Sequence, residues 1–277
     1  MQKHKIFLFK DNPGIDLNKK FIVSLSMQEI NSCLDKLKIE VKKEKASYRN
    51  LKKLASVIIS EVPIPLFYPP ENLPIIRARP NYNGEVFKTK SEVSYNRRHP
   101  KKILLSRFNL AKDPVFYGAI KNGYNVPNGL TIITTISESF KALFDESNNE
   151  RRLYFTVGSW KVQENFPVIM LTFFPKAEEQ SEYIKRTNLI YEDFFSKTYN
   201  PEDQLKIKLL FSYLSECACK KNDTDNNYLL TTAFFEVMQF YYGKKIGIMY
   251  SSSMTENLGT NIVLTKDLID EKFIELE

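Results

Sequence analysis

Residues 153–174 read LYFTVGSWKVQENFPVIMLTFF. The first part, Leu153 to Val162, partly alternates between apolar and polar residues. The second, Val168 to Phe174, is an apolar run, and together they predict paired strands. The chain then changes period. Glu178 to Ser196 and Glu202 to Cys219 predict amphipathic helices, with Asn200 as cap and Pro201 at the first helical position. Tyr228 to Tyr242 predicts a third helix, stopped by Gly243. Ile246 to Tyr250 and Asn261 to Leu264 predict short apolar strands that close the domain.

Upstream, Ile75 to Arg79 predicts a short strand, Tyr82 to His99 a polar loop, and Pro114 to Ala119 a buried strand. Leu130 to Thr135 is rich in β-branched residues and predicts another strand, with a helix from Ser137 to Phe144. Strands and helices are interspersed without a steady βαβ rhythm. The expectation is an α+β protein with a mixed, mainly antiparallel central sheet and flanking helices.

Residues 1–70 predict a separate, mostly helical region. Ile30, Cys33, Leu34 and Leu37 recur at helical spacing, as do Leu51, Leu54, Ala55 and Ile58. Pro63, Pro65, Pro69 and Pro70 mark a boundary near residue 70. The lysine-rich stretch from Lys36 to Lys53 fits either the solvated face of two helices or a docking surface for an acidic partner.

The 277 residues are 43% hydrophobic and 26% charged, and carry a net charge of +7. That composition is globular and favours anionic partners. The two histidines, His4 and His99, and three cysteines argue against a Cys/His zinc site and against a serine hydrolase with a histidine base. So few cysteines make no disulfide framework and suit a reducing compartment. The N-terminus has no apolar core of signal-peptide length, and runs such as Phe166 to Phe174 are too short to span a bilayer. The expectation is a cytoplasmic protein.

Nucleotide chemistry is the first class to test. Gly118 to Gly123 approaches a Walker loop but continues with Tyr124 and Asn125, and there is no Gly-x-Gly-x-x-Gly. A bound nucleotide would need arginines in place of a glycine cradle. Arg77, Arg79 and Arg107 offer planar forks for phosphate oxygens, and Tyr117 a stacking face. The alternative makes them surface charges and core. Glu138 follows the predicted strand and could stabilise positive charge on a sugar, or could be a helix N-terminal acid. Ser251, Ser252 and Ser253 are either a turn or hydroxyls aimed into a pocket.

Taken in order, these pieces resemble the RES domain family, named for its Arg, Glu and Ser. The resemblance covers about residues 73 to 265. It rests on Ile76 to Arg79, then Arg107-Phe108-Asn109 shortly before Pro114-Val115-Phe116-Tyr117, then Glu138. It closes with Gly247-Ile248, Tyr250 and Ser252, followed by Gly259 and Asn261. The resemblance implies a fold like that of ADP-ribosyltransferases, carried on residues 71–277 with a helical insertion around 175–225. It implies a toxin of a bacterial toxin–antitoxin pair that cleaves the nicotinamide–ribose bond of NAD, with water or inorganic phosphate as acceptor. Arg77, Arg107, Glu138 and Ser252 would be catalytic, and Tyr117, Asn109, Arg79 and Tyr250 would bind substrate.

The implied partners are NAD, an antitoxin and a second copy of the chain, with no metal, membrane or nucleic acid. Three features depart from the family. Ser106 stands where the arginine motif usually has glycine. Glu138 lies 21 residues after Tyr117, which leaves Glu146 as an alternative. Ser251 is an alternative to Ser252. Two rival readings are ADP-ribosyl transfer to a macromolecule and non-enzymatic nucleic-acid binding. Against the second, the 15 tyrosines and 20 phenylalanines fall mainly in apolar runs, as core packing requires.

Overall fold

Ser26 starts the first helix, α1 (Met27–Val41). Its Oγ accepts the Glu29 N–H at 3.2 Å, and its own N–H donates to Glu29 Oε2 at 2.8 Å. This reciprocal cap satisfies two otherwise orphaned donors. In the computed structural model, residues 23–61, 64–81, 86–97, 99–121, 128–144, 154–175, 182–220 and 224–277 are described. Ile30, Leu34 and Leu37 of α1 and Leu51, Ala55 and Ile58 of α2 (Tyr48–Glu61) are buried, as their spacing predicts. Helix α2 lies along α7 (Asp225–Tyr242), and α1 touches α2, α7 and α6 (Pro201–Cys219). These helices share one continuous apolar core with the sheet.

The described residues form eight α-helices and one eight-stranded sheet. The strands are β1 (Leu66–Phe67), β2 (Pro74–Asn81), β3 (Val115–Ile120), β4 (Tyr154–Val162), β5 (Val168–Leu171), β6 (Gly247–Ser251), β7 (Thr260–Thr265) and β8 (Ile274–Leu276). Their order across the sheet is β1-β5-β6-β7-β3-β2-β4-β8, and only β5 and β6 run parallel. The protein is therefore α+β with a mixed, mostly antiparallel sheet. The chain enters this sheet at β1, before residue 70. No helix among the described residues is long and apolar enough to cross a membrane.

Two expectations fail. The strands β4 and β5 do not pair: β4 lies between β2 and β8, and β5 between β1 and β6. Every residue of β5 is buried, so it must lie where helices cover it; β4 keeps exposed positions and sits towards the other edge. The predicted strand at Leu130–Thr135 is instead the first half of helix α4 (Asn128–Phe144). Its threonines suit a helix because their hydroxyls return to the backbone, as Thr134 Oγ1 does to Leu130 O at 2.7 Å. Thr134 also packs against Gly259, where a Cβ would come within 2.0 Å of Thr134 Oγ1. Tertiary packing overrides the local β preference. Within the predicted loop 82–99 lies a one-turn helix, α3 (Lys90–Val93).

The three predicted helices appear as α5 (Glu182–Thr198), α6 and α7. Asn200 Oδ1 accepts the Asp203 N–H at 2.9 Å to start α6, and Gly243, at φ 95°, ends α7. The chain closes with α8 (Lys266–Asp270) and β8.

Register decides which side chains can meet. Tyr117 pairs with Val263, Ala119 with Asn261, and Asn261 with Tyr250. Strand alternation then puts Tyr117, Asn261 and Tyr250 on one face of the sheet. Ile75 pairs with Ile120 and Ile76 with Ala119, so Arg77 and Arg79 project from the other face, which also carries Phe116.

Candidate functional site

The ladder between β2 and β3 stops after Ile76 and Ala119. Helix α4 takes over the backbone groups freed beyond that point. The Ala78 N–H donates to Thr135 Oγ1 at 3.0 Å, and Ser139 Oγ donates to Ala78 O at 3.3 Å. Both hydroxyls flank Glu138 on α4. Glu138 lies in the second half of this helix, so it is not the N-terminal acid that the macrodipole alternative requires.

The Glu138 side chain is half-buried. Its Oε1 accepts Ser252 Oγ at 2.6 Å and Asn261 Nδ2 at 2.8 Å. Both donors are almost wholly enclosed, Ser252 at 0% and Asn261 at 3% exposure. Charge-assisted bonds of this kind hold a carboxylate in one orientation. Among the described residues no donor reaches Oε2, which leaves that oxygen for a ligand hydroxyl. Ser251 Oγ is buried without a hydrogen-bond partner, so Ser252 is the serine that meets the acid. Glu146 and His4 lie outside the described residues.

Near the carboxylate, among the described residues, stand the Tyr250 ring and the Arg107 guanidinium. Arg107 lies 5.8 Å from the centre of the Tyr250 ring and 5.5 Å from that of Tyr228. Its Nη1 donates to Cys217 O at 3.3 Å and its Nη2 to Lys220 O at 3.1 Å, capping the C-terminal end of α6. The Arg107 carbonyl accepts the Thr231 hydroxyl from α7. Phe108 packs against Tyr250 with ring centres 5.1 Å apart. Burial, reinforced by the Glu138 charge, pushes the Tyr250 hydroxyl well above the usual tyrosine range, and Arg107 opposes this. Burial pushes the Cys219 thiol up to about 12, against Arg107 and the Ser251 N–H. Cys219 is therefore protonated at neutral pH and is no thiolate nucleophile.

Tyr117 and Asn109 set the turn that presents Arg107. The Tyr117 hydroxyl accepts the Phe108 N–H at 2.9 Å and donates to Asn109 Oδ1 at 3.1 Å. Asn109 Nδ2 donates to Leu104 O at 3.0 Å and to Leu110 O at 2.9 Å. Burial raises the Tyr117 pKa to about 12, so this hydroxyl keeps its proton and its bonds at neutral pH.

Of the predicted residues, Glu138, Ser252, Arg107, Tyr117, Asn109 and Tyr250 gather in one neighbourhood. Arg77 and Arg79 do not join them. Arg77 Nε donates to Val93 O at 2.9 Å and its Nη1 to Tyr117 O at 2.5 Å, with the guanidinium 4.9 Å from the Phe116 ring centre. Arg79 donates to Glu92 O and lies 4.6 Å from the Phe87 ring centre. Both arginines tie α3 to the opposite face of the sheet. Burial, then the charge of Arg79, lower the Arg77 pKa to about 9, which leaves it cationic at neutral pH.

The sequence reading assigns no role to Asn261, Thr135 or Ser139. For Asn261 a signal existed: it closes the motif order quoted above and is a polar side chain directly before the apolar run Ile262-Val263-Leu264, where it needs a partner. For the two α4 hydroxyls there was none, because the gap they fill is tertiary. An open groove of about 820 Å³ lies elsewhere, between α1, α5, α6 and the segment after β5. It is lined mainly by apolar side chains such as Leu34, Phe173 and Tyr213, whereas the converging polar groups are at Glu138. Among the described residues no group of three or more His, Cys, Asp or Glu could hold a metal ion. Comparison with protein-family models, with curated proteins and with solved structures finds no match to this chain.

Proposed function

We propose that this protein cleaves the nicotinamide–ribose bond of NAD, passing ADP-ribose to water or to inorganic phosphate. The single observation that carries the reading is the Glu138 carboxylate, held through one oxygen by Ser252 and Asn261, with no donor on the other among the described residues. Cleavage breaks the bond between ribose C1′ and the nicotinamide nitrogen. The electron pair leaves with nicotinamide, and the ribose passes through an oxocarbenium-like state. A fixed carboxylate stabilises that developing positive charge and can hold the ribose hydroxyls. Acceptor oxygen then bonds to C1′; for water, the attacking molecule gives up a proton to the solvent. Arg107, whose charge acts with that of Glu138 on Tyr250 and Cys219, would balance pyrophosphate charge.

The same reading makes the chain a RES-like domain with a sheet of the ADP-ribosyltransferase kind. It would act in the cytoplasm as a toxin restrained by an antitoxin, as the order of motifs suggests. The test is to incubate the purified protein with NAD, with and without phosphate, and to measure free nicotinamide. Stoichiometric nicotinamide with ADP-ribose or its phosphate is the expected result. Labelled NAD found on a macromolecule would favour ADP-ribosyl transfer. Absence of turnover together with salt-sensitive oligonucleotide binding would favour a nucleic-acid-binding module.

A further inference from the structure

The chain's net charge of +7 is concentrated in one place. Residues 36–53 hold seven lysines and Arg49 against only Glu40 and Glu44, a net +6 within the α1–α2 hairpin. Glu40 is buried and already bound, to Lys43 Nζ at 2.6 Å and to the Ser47 N–H at 2.8 Å. From the neighbouring α7, Glu236 pairs with Lys52 at 3.0 Å and takes the Tyr48 hydroxyl. Lys38 pairs with Asp35 at 3.2 Å on its own helix. Lys36, Lys42, Lys45, Arg49 and Lys53 are exposed and make no ion pair among the described residues.

Helical spacing arranges these cations in two stripes. On α1, Lys36 stands one turn before Ile39, and on α2, Arg49 and Lys53 precede Val57. Each stripe thus includes an exposed apolar side chain, Ile39 at 62% and Val57 at 40% exposure. Lys38 links the hairpin to the groove of about 820 Å³: its Nζ lies 6.0 Å from the ring centre of Tyr213, which lines that groove with Leu34, Phe173, Leu189 and Leu209.

We propose that the α1–α2 hairpin and the adjoining groove dock an acidic polypeptide segment bearing apolar side chains. Its carboxylates would meet the unpaired cations, and its apolar residues would meet Ile39 and the groove. The chemistry favours a peptide over nucleic acid. Lysine is a point charge without the planar fork that arginine offers to phosphate, and Tyr48 is tied to Glu236 and cannot serve as a stacking platform for bases. Two isolated apolar side chains are too few to anchor a lipid surface. The proposal does not depend on NAD chemistry.

The experiment uses the full chain and a fluorescently labelled glutamate-rich peptide with leucine at helical spacing, followed by anisotropy over a salt series. Binding that weakens as salt rises is expected. Charge reversal at Lys36, Lys42, Lys45 and Lys53 to Glu should weaken it about tenfold or more, equivalent to about 1.4 kcal/mol. Reversal of four exposed lysines elsewhere (Lys101, Lys102, Lys244 and Lys272) should change it less than about twofold, because at moderate salt charges beyond about 10 Å are screened. Leu189→Ser, in the groove, should weaken binding about threefold, as the loss of one apolar contact does. Equal loss in the two charge-reversal variants would overturn the proposal. So would tighter binding of a labelled oligonucleotide, or of anionic phosphatidylglycerol vesicles, at the same salt.

Discussion

Arg77 and Arg107 make the same kind of bonds on opposite faces of one sheet. Each guanidinium donates to backbone carbonyls: Arg77 to those of Val93 and Tyr117, Arg107 to those of Cys217 and Lys220. The difference is the company they keep. Arg77 faces Phe116 and ties down α3, whereas Arg107 lies against Tyr250, close enough for its charge to act on Tyr250 and Cys219 together with that of Glu138. An arginine beside a strand therefore does not identify a phosphate site by itself. The face it projects from, and the carboxylate across from it, decide its use.

The sharpest way to break this comparison begins with the carboxylate. Glu138→Gln keeps the shape but removes the charge, and should lower kcat for NAD cleavage about 10²–10³-fold with the fold intact by circular dichroism. A variant with full turnover would remove Glu138 from the mechanism. Next come the two arginines side by side. Arg107→Ala should lower kcat/KM about 10–100-fold, the loss of a charged hydrogen-bonding partner, and should also loosen the end of α6. Arg77→Ala should instead show itself in urea unfolding. Two carbonyls lose their donor, at a cost of about 1–3 kcal/mol, while kcat/KM of the folded fraction stays within about threefold. Equal kinetic loss in the two variants would place both faces in the active centre.

Smaller still is Ser252→Ala. Asn261 continues to hold Oε1, so kcat should fall only about fivefold to tenfold, the worth of about one hydrogen bond. Ser251→Ala should leave turnover unchanged, since its hydroxyl has no partner to lose. A separate effect is alkaline. Cys219 and Tyr117 are held protonated to about pH 12, against ordinary values of 9.0 and 10.0. Between those limits the unfolded chain releases protons that the folded chain keeps. Stability is therefore full below about pH 9 and should fall as pH rises towards 12. Melting temperatures across that range check the sign, and a Tm that rises would refute the buried protonated state.

Legibility in the sequence was uneven, for identifiable reasons. Helices α1, α2, α6 and α7 were readable because their apolar spacing, Asn200, Pro201 and Gly243 are local signals. The pairing of β4 with β5 was misread because adjacency in sequence does not choose partners; complete burial of β5 sent it beneath the helices. The first half of α4 was misread because its β-branched residues favour a strand until Thr134, Thr135 and Ser139 find helix and sheet backbone to bond, whereas the helix predicted from Ser137 to Phe144 is its second half. The meeting of Glu138 with Ser252 was anticipated only through a resemblance in motif order. No local pattern contained it, since the two are 114 positions apart.

The amino-acid order alone determined the α+β class, the helical hairpin and its concentrated positive charge, since hydrophobic period, capping residues and charge are properties of neighbours along the chain. Only the tertiary structure decided that Arg77 and Glu138 serve different faces, and that Asn261 joins Ser252 on one carboxylate oxygen. Strand register and the insertion of α4 beyond Ala78 depend on which surfaces can be covered together, and that is a property of the whole packed core.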